Sequence, residues 1–179
     1  MIRCFIGLGA NLDDPAAQIT IALRALAALP HSRLLRCSSL YGSKPLGPQD
    51  QPDYVNAVAE LETSLEPLAL LDALQAQERE QGRIKRRHWG ERCIDLDLLL
   101  YGDLAMRSER LNIPHHEMHK RSFVLLPLTE IAADLHLPDG RAIAELTPEF
   151  GGDLQRMQNE SRPELLSLLQ AGIEMDLLF

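Results

Sequence analysis

Residues 82–100 read GRIKRRHWGERCIDLDLLL, with cations crowded at the start and carboxylates near the end. Across 83–92, Arg83, Lys85, Arg86, Arg87 and Arg92 stand against one acid, Glu91, a local charge of +4. The whole chain carries −8, so the rest of it carries −12. A concentrated cationic stretch on an acidic protein suits a small polyanion, because guanidinium groups fork onto phosphate oxygens. Taken alone, the stretch also fits a solvated charge run. Asp95 and Asp97 follow immediately. Two apart on a strand, they share a face at roughly 6.5–7 Å, and Ile94, Leu96, Leu98 and Leu100 supply the opposite, core-facing side. Neighbouring carboxylates repel unless a positive charge stands before them. Magnesium binds in this way, through one or two carboxylates plus substrate phosphates. Two surface aspartates on a half-exposed strand are the plainer reading of the pair. Basic stretch and acid pair together point to phosphate and magnesium.

His115, His116 and His119 cluster in PHHEMH. A zinc-protease helix needs glutamate directly after the first histidine and a second histidine four residues along. His116-Glu117-Met118-His119 is one residue short of that, and His115 with His119 has the spacing but the wrong order between. A phosphate or nucleotide contact by His115 or His116 fits better, with an ordinary capping histidine as the alternative. The chain has no P-loop, no kinase H-R-D or D-F-G, and no complete G-x-G-x-x-G. Gly7-Leu8-Gly9 opens like a dinucleotide-binding turn but lacks the third glycine.

Several elements must position these groups. Residues 2–9 are short, apolar and glycine-terminated, as in a buried strand. Asp14-Pro15 reads as an N-cap with proline at the first helical position. Ile19, Ala22, Leu23, Leu26 and Leu29 then recur at helical spacing, and Pro30 ends the run. A second strand is predicted over 34–41, and the proline- and glycine-rich stretch 42–53 is a loop. Over 54–61, Val55, Ala57, Ala59 and Leu61 line one strand face, opposite Tyr54, Asn56 and Glu60. A helix from Pro67 should bury Leu68, Leu71 and Leu74, with Gln75 and Glu78 as polar members of that stripe. Gly82 ends it, and a strand covers 93–101. Two short helices are expected within 118–133, and residues 150–179 read as a C-terminal helical extension. The order βαββαβ followed by helices predicts an α+β, ferredoxin-like core in one domain, an antiparallel sheet with helices on both sides.

Composition narrows the function classes. At 179 residues the chain holds about one domain. A 45% hydrophobic and 25% charged balance excludes disordered and fibrous classes. Net negative charge and only 4% aromatics argue against a nucleic-acid partner. Cys4, Cys37 and Cys93 lie far apart without a CxxC, which fits reduced thiols in the cytoplasm. No signal-peptide pattern or membrane-length apolar run occurs, so no membrane partner is expected. A monomer is the default expectation.

The motifs together resemble the 6-hydroxymethyl-7,8-dihydropterin pyrophosphokinase family of folate synthesis. The resemblance rests on HWGERCIDLDLL at 88–99, IGLGANL at 6–12, PLGPQDQPDYVN at 45–56, PHH at 114–116 and RSF at 121–123. It spans roughly residues 2–145. It implies transfer of a pyrophosphoryl group from ATP to the pterin hydroxymethyl oxygen, with release of AMP. By the same resemblance Asp95 and Asp97 would hold two magnesium ions bridging the ATP phosphates. Arg83, Lys85, Arg92, His115 and Arg121 would neutralise phosphates or leaving group. Gln75, Glu78, Trp89, Leu98, Leu111, Asn112 and His116 would lie along the nucleotide. Ser43, Leu46, Tyr54, Asn56 and Phe123 would form the pterin pocket.

The chain departs from the family pattern at Lys44, where proline is common, and at Lys85, where arginine is. The basic loop is about one residue shorter than in well-known relatives. Two other readings of the same residues remain open at the sequence. A non-catalytic nucleotide sensor would keep the basic loop without needing both aspartates. A metal-dependent phosphohydrolase would use the same charges on water, leaving the aromatic and amide-bearing loop unexplained.

Overall fold

The computed structural model describes residues 1–43, 50, 52–82, 93–146 and 155–157. The elements run β1 (Ile2–Ala10), α1 (Pro15–Ala27), β2 (Ser32–Cys37), β3 (Tyr41–Ser43), β4 (Tyr54–Thr63), α2 (Pro67–Glu80) and β5 (Asp95–Tyr101). A small hairpin, β6 (Met106–Arg107) and β7 (Asn112–Ile113), precedes a 3-10 turn at Met118–Lys120, α3 (Ser122–Ile131), α4 (Ile143–Leu146) and β8 (Gln155–Arg156). Six strands form one antiparallel sheet in the order β5-β1-β4-β3-β8, with β2 also paired to β4. The predicted α+β, ferredoxin-like arrangement is what the structure has.

The sheet is covered on both faces, which makes three layers. On one side α1 and α2 bury Ile19, Leu23, Leu70 and Leu74 against Ile6, Leu8, Ala57, Leu61 and Leu96. On the other, α3 and α4 bury Val124, Leu128 and Ile143 against Phe5, Val58, Leu99 and Leu100. Asp14 caps α1 as predicted, its carboxylate accepting the Ala17 N–H at 3.4 Å ahead of Pro15. Glu60 is buried on the α3 side and lies 2.6 Å from Arg3 and 3.2 Å from Arg36. A buried carboxylate requires such counter-charges. Arg36 also donates to the Ile131 carbonyl at 3.1 Å, which ties the end of α3 to the sheet.

Three expectations about the first strands, α2 and β5 need correction. The strand predicted over 34–41 is two strands, β2 and β3, both paired to the long β4. Ser38 interrupts them: its hydroxyl takes the Val58 N–H at 2.9 Å, and its own N–H donates to the Val58 carbonyl. A side chain thus replaces one rung of the ladder. Leu68 is 39% exposed, because the buried stripe of α2 is Leu70, Leu71, Leu74 and Glu78, and Leu68 falls to one side of it. Leu100 does not share a face with Leu96 and Leu98. A register shift between Phe5 and Ile6 inserts Leu99 into β5, so Leu100 joins the opposite cluster. A bulge of this kind flips the alternation that follows it.

Around the ends, residues 155–157 differ from the expected helical extension, since Gln155–Arg156 is a strand. The expected helix at 163–169 lies outside the described residues.

Candidate active site

The end of the sheet holding Asp95 and Asp97 is organised by strand register. Asp95 lies opposite Gly9, and Asp97 opposite Gly7, on β1. Across β1, Gly9 is opposite Asn56 of β4, which is opposite Tyr41 of β3. Directly opposed residues present their side chains to one face. Asp95, Asn56 and Tyr41 therefore form a single row on the α3 side, with only glycine between carboxylate and amide. A Cβ on Gly9 would stand 3.2 Å from Asn56 Oδ1, tighter than ordinary contact. Both aspartates are half-buried, and Asn56 is 4% exposed.

One rim of the site is built after β7. The His115 N–H donates to the Leu99 carbonyl at 3.0 Å, fixing this segment to the bulge of β5. The His115 and His116 rings stack with centroids 4.9 Å apart. Arg121 pairs with Glu117, and its guanidinium lies 5.4 Å from the centre of the Phe123 ring. That hydrogen bond and charge hold the Glu117 carboxyl below its ordinary range. Burial, then the charges of Arg121 and His116, push His115 down to about 4. His115 is thus neutral at pH 7. Its Nδ1 accepts the Glu117 N–H at 3.4 Å, which leaves the ring proton on Nε2. In the substrate-free chain His115 is therefore a neutral imidazole with Nε2 as its donor.

The nucleotide positions divide. Gln75 is half-buried and accepts from Arg110 at 3.2 Å, while Arg110 also pairs with Asp72 at 2.5 Å. Asn112 is half-buried in the small hairpin, opposite Arg107. Glu78 is buried, and its Oε2 accepts the Leu96 N–H at 3.0 Å, between the two aspartates. Leu98 and Leu111, 3% and 6% exposed, belong to the core on the α1 and α2 side. The structure therefore does not bring the Leu98 and Leu111 side chains, or Glu78, together with the carboxylates. Any contact from these leucines to a nucleotide would be through backbone atoms.

On the other side, Tyr54 is half-buried at the start of β4 and opposite Ser43, the last residue of β3. Asn11, itself 2% exposed, donates to the Pro52 carbonyl at 3.0 Å and fixes the entry to β4 beside the end of β1. Arg83, Lys85, Trp89 and Arg92, like Leu46, lie outside the described residues. Gly82, at φ +82°, ends the turn that leads into the basic stretch, as the sequence reading expects.

Sequence reasoning missed two features here. Glu117, the partner of Arg121, shows only as the i−4 acid. The second is Glu130 of α3, which accepts the Tyr41 hydroxyl at 2.6 Å and the Ser39 N–H at 2.8 Å. Burial and that carboxylate raise the Tyr41 phenol well above its ordinary range. No local signal links residues 41 and 130.

An acid pair on an antiparallel sheet covered by helices, with a histidine–arginine segment tied to the same strand through Leu99, fits a phosphate-handling α+β enzyme. Residues 5–133 match the family model of 7,8-dihydro-6-hydroxymethylpterin-pyrophosphokinase. The 2-amino-4-hydroxy-6-hydroxymethyldihydropteridine pyrophosphokinase of Haemophilus influenzae is 57% identical over 150 residues, 84% of this chain and 94% of that one. That of Pseudomonas aeruginosa is 54% identical over 144 residues, 80% of this chain and 89% of that one. The chain belongs to this pyrophosphokinase family. At the level of fold it is similar to the Plasmodium falciparum HPPK-DHPS crystal structure with SDX-DHP, with a TM-score of 0.63 at 14% identity. That match covers 83% of this chain, which spans 43% of the solved chain's length.

Proposed function

We propose that this site carries out the family's reaction with Asp95 and Asp97 at the phosphate end and Asn56 at the pterin end. The chain is a pyrophosphokinase of folate biosynthesis, a diphosphotransferase with ATP as co-substrate. The observation that supports the residue assignment is the row Asp95–Gly9–Asn56, which sets a carboxylate and an amide on one face of the sheet with only glycine between them.

In this reaction the pterin hydroxymethyl oxygen attacks the β-phosphorus of ATP. The bond from that phosphorus to the oxygen shared with the α-phosphate breaks, AMP departs, and the hydroxyl proton is lost. Such transfers need in-line placement and charge neutralisation more than a strong base. Asn56, Tyr54, Ser43, Leu46 and Phe123 hold the pterin, the amide reading its edge and the rings flanking it. Arg121, kept in place by Glu117, meets phosphate oxygens together with Arg83, Lys85 and Arg92. His115 donates from Nε2 to a phosphate oxygen, whose negative charge favours the protonated ring. Gln75, Asn112, His116 and Trp89 lie along the nucleotide, with Leu98 and Leu111 contributing only backbone. Glu78 acts at one remove, by fixing the backbone of Leu96.

The donor set fits magnesium. Asp95 and Asp97 are hard oxygen ligands on one face, the protein's usual share of a site that substrate phosphates complete. Two ions, when bound there, would polarise the phosphates and neutralise charge building on them. The same reading has the chain act as a single-domain monomer in the cytoplasm. Among the described residues, no helix is long and apolar enough to cross a membrane.

Measuring ATP consumption with magnesium, with and without 6-hydroxymethyl-7,8-dihydropterin, tests this assignment. Consumption should require the pterin and fall sharply on Asn56→Ala. Equal consumption without pterin would instead mean transfer to water.

A further inference from the structure

The reaction derived above gives no work to the C-terminal segment, yet its described residues join the pterin side of the sheet. β8 pairs with β3, Arg156 opposite Tyr41 and Gln155 opposite Gly42. The Met157 N–H donates to the Leu40 carbonyl at 2.8 Å. The row Asp95–Gly9–Asn56–Tyr41 is thereby extended by one strand and ends on Arg156.

β3 is a weak element taken alone. It has three residues, Tyr41–Ser43, with glycine in the middle. Short strands with a central glycine pack few side chains and pay a larger ordering entropy. Contacts from distant parts of the chain compensate. Arg156 Nε donates to Ser39 Oγ at 2.9 Å, and its Nη2 lies 3.9 Å from Glu130 Oε2. Glu130 takes the Tyr41 hydroxyl and the Ser39 N–H. Tyr41, 8% exposed, stands directly opposite Asn56. Arg156 thus balances the carboxylate that orients Tyr41, and Tyr41 flanks the amide assigned to the pterin.

We infer that Arg156 is a positioning residue for the pterin half of the site: through Glu130 and Tyr41 it holds β3 in register against β4, beside Asn56. The inference rests on the assignment of Asn56, Tyr54 and Ser43 to the pterin. Its reach is selective. The network touches β3, β4 and α3, whereas Asp95 and Asp97 lie on β5, at the other edge of the sheet.

The test uses the full chain as wild type, Arg156→Ala, Arg156→Lys and Met157→Pro, with KM measured separately for pterin and for ATP. Met157→Pro removes the N–H given to Leu40 while leaving the Arg156 side chain intact. Arg156→Ala and Met157→Pro should each raise the pterin KM about tenfold, as loss of a charge-assisted contact would. ATP KM should stay within about twofold, and Arg156→Lys should recover part of the loss by restoring charge near Glu130. A pterin KM unchanged in both variants would overturn the inference, and so would equal rises in both KM values with a lowered melting temperature. Wild-type protein that turns over ATP but not pterin would overturn the pterin assignment itself, and this inference with it.

Discussion

Asp95 and Asn56 stand two strands apart, each directly opposite Gly9. At about 4.8 Å per strand their backbones are roughly 9–10 Å apart, and Gly9 between them carries no side chain, so Asn56 Oδ1 and the Tyr54 ring reach over it. In the proposed assignment the diphosphate and the hydroxymethyl group meet in the space over this glycine.

Filling it should therefore injure substrate binding more than folding. In Gly9→Ala the new methyl meets Asn56 Oδ1 at 3.2 Å, so the amide must give by a few tenths of an ångström. We expect a pterin KM about tenfold higher and a melting temperature within about 3 °C of wild type. Parallel measurement of both settles it; a normal pterin KM would mean that Asn56 does not read the substrate.

Asp97→Ala removes one of the two carboxylates proposed to hold magnesium. Turnover should fall by more than about 10²-fold, as expected when a metal that neutralises phosphate charge is lost. Titrating magnesium in both proteins gives the sharper readout, because saturation should shift to higher concentration in the variant. Near-normal turnover at unchanged magnesium would remove the carboxylates from the reaction.

Glu78 separates a backbone-fixing role from a nucleotide-binding one. Its carboxylate serves the Leu96 N–H inside the protein, so Glu78→Ala leaves a buried donor unmet. Stability should drop by about 2 kcal/mol, a melting shift of about 4–8 °C. Chemical denaturation can check this directly. A variant as stable as wild type but with a raised ATP KM would restore Glu78 to the nucleotide.

His115 links pH to stability. Its folded pKa, about 4, lies below the ordinary 6.5, so the unfolded chain binds the proton first as pH falls. The stability it contributes is complete above about pH 6.5 and is lost as pH falls toward 4. After discounting for partial exposure, the loss is of the order of 2 kcal/mol. His115→Gln should flatten this part of the stability curve; identical slopes in both proteins would contradict a buried neutral imidazole.

Much of this arrangement is legible in the sequence because its periods are short-range. The apolar run of β1, the Asp14-Pro15 start of α1 and the alternation ahead of the bulge in β5 each follow from a few adjacent residues. The acid pair, the basic stretch and the histidine cluster are legible for the same reason. What escapes is long-range. The bulge that turns Leu100 away depends on β1 register, and the break at Ser38 depends on a hydroxyl reaching Val58. Glu130 and Arg156 meet Tyr41 only because three strands and a helix converge. Glu78, Leu98 and Leu111 carry family positions, yet their side chains belong to the packing beneath the sheet.

The measurement that bears most directly on the central claim is product analysis after reaction with ATP, magnesium and 6-hydroxymethyl-7,8-dihydropterin. Attack at the β-phosphorus predicts AMP and pterin diphosphate in equal amounts. ADP with pterin monophosphate would contradict it, since the nucleotide would then lie with its γ-phosphorus at the hydroxymethyl group.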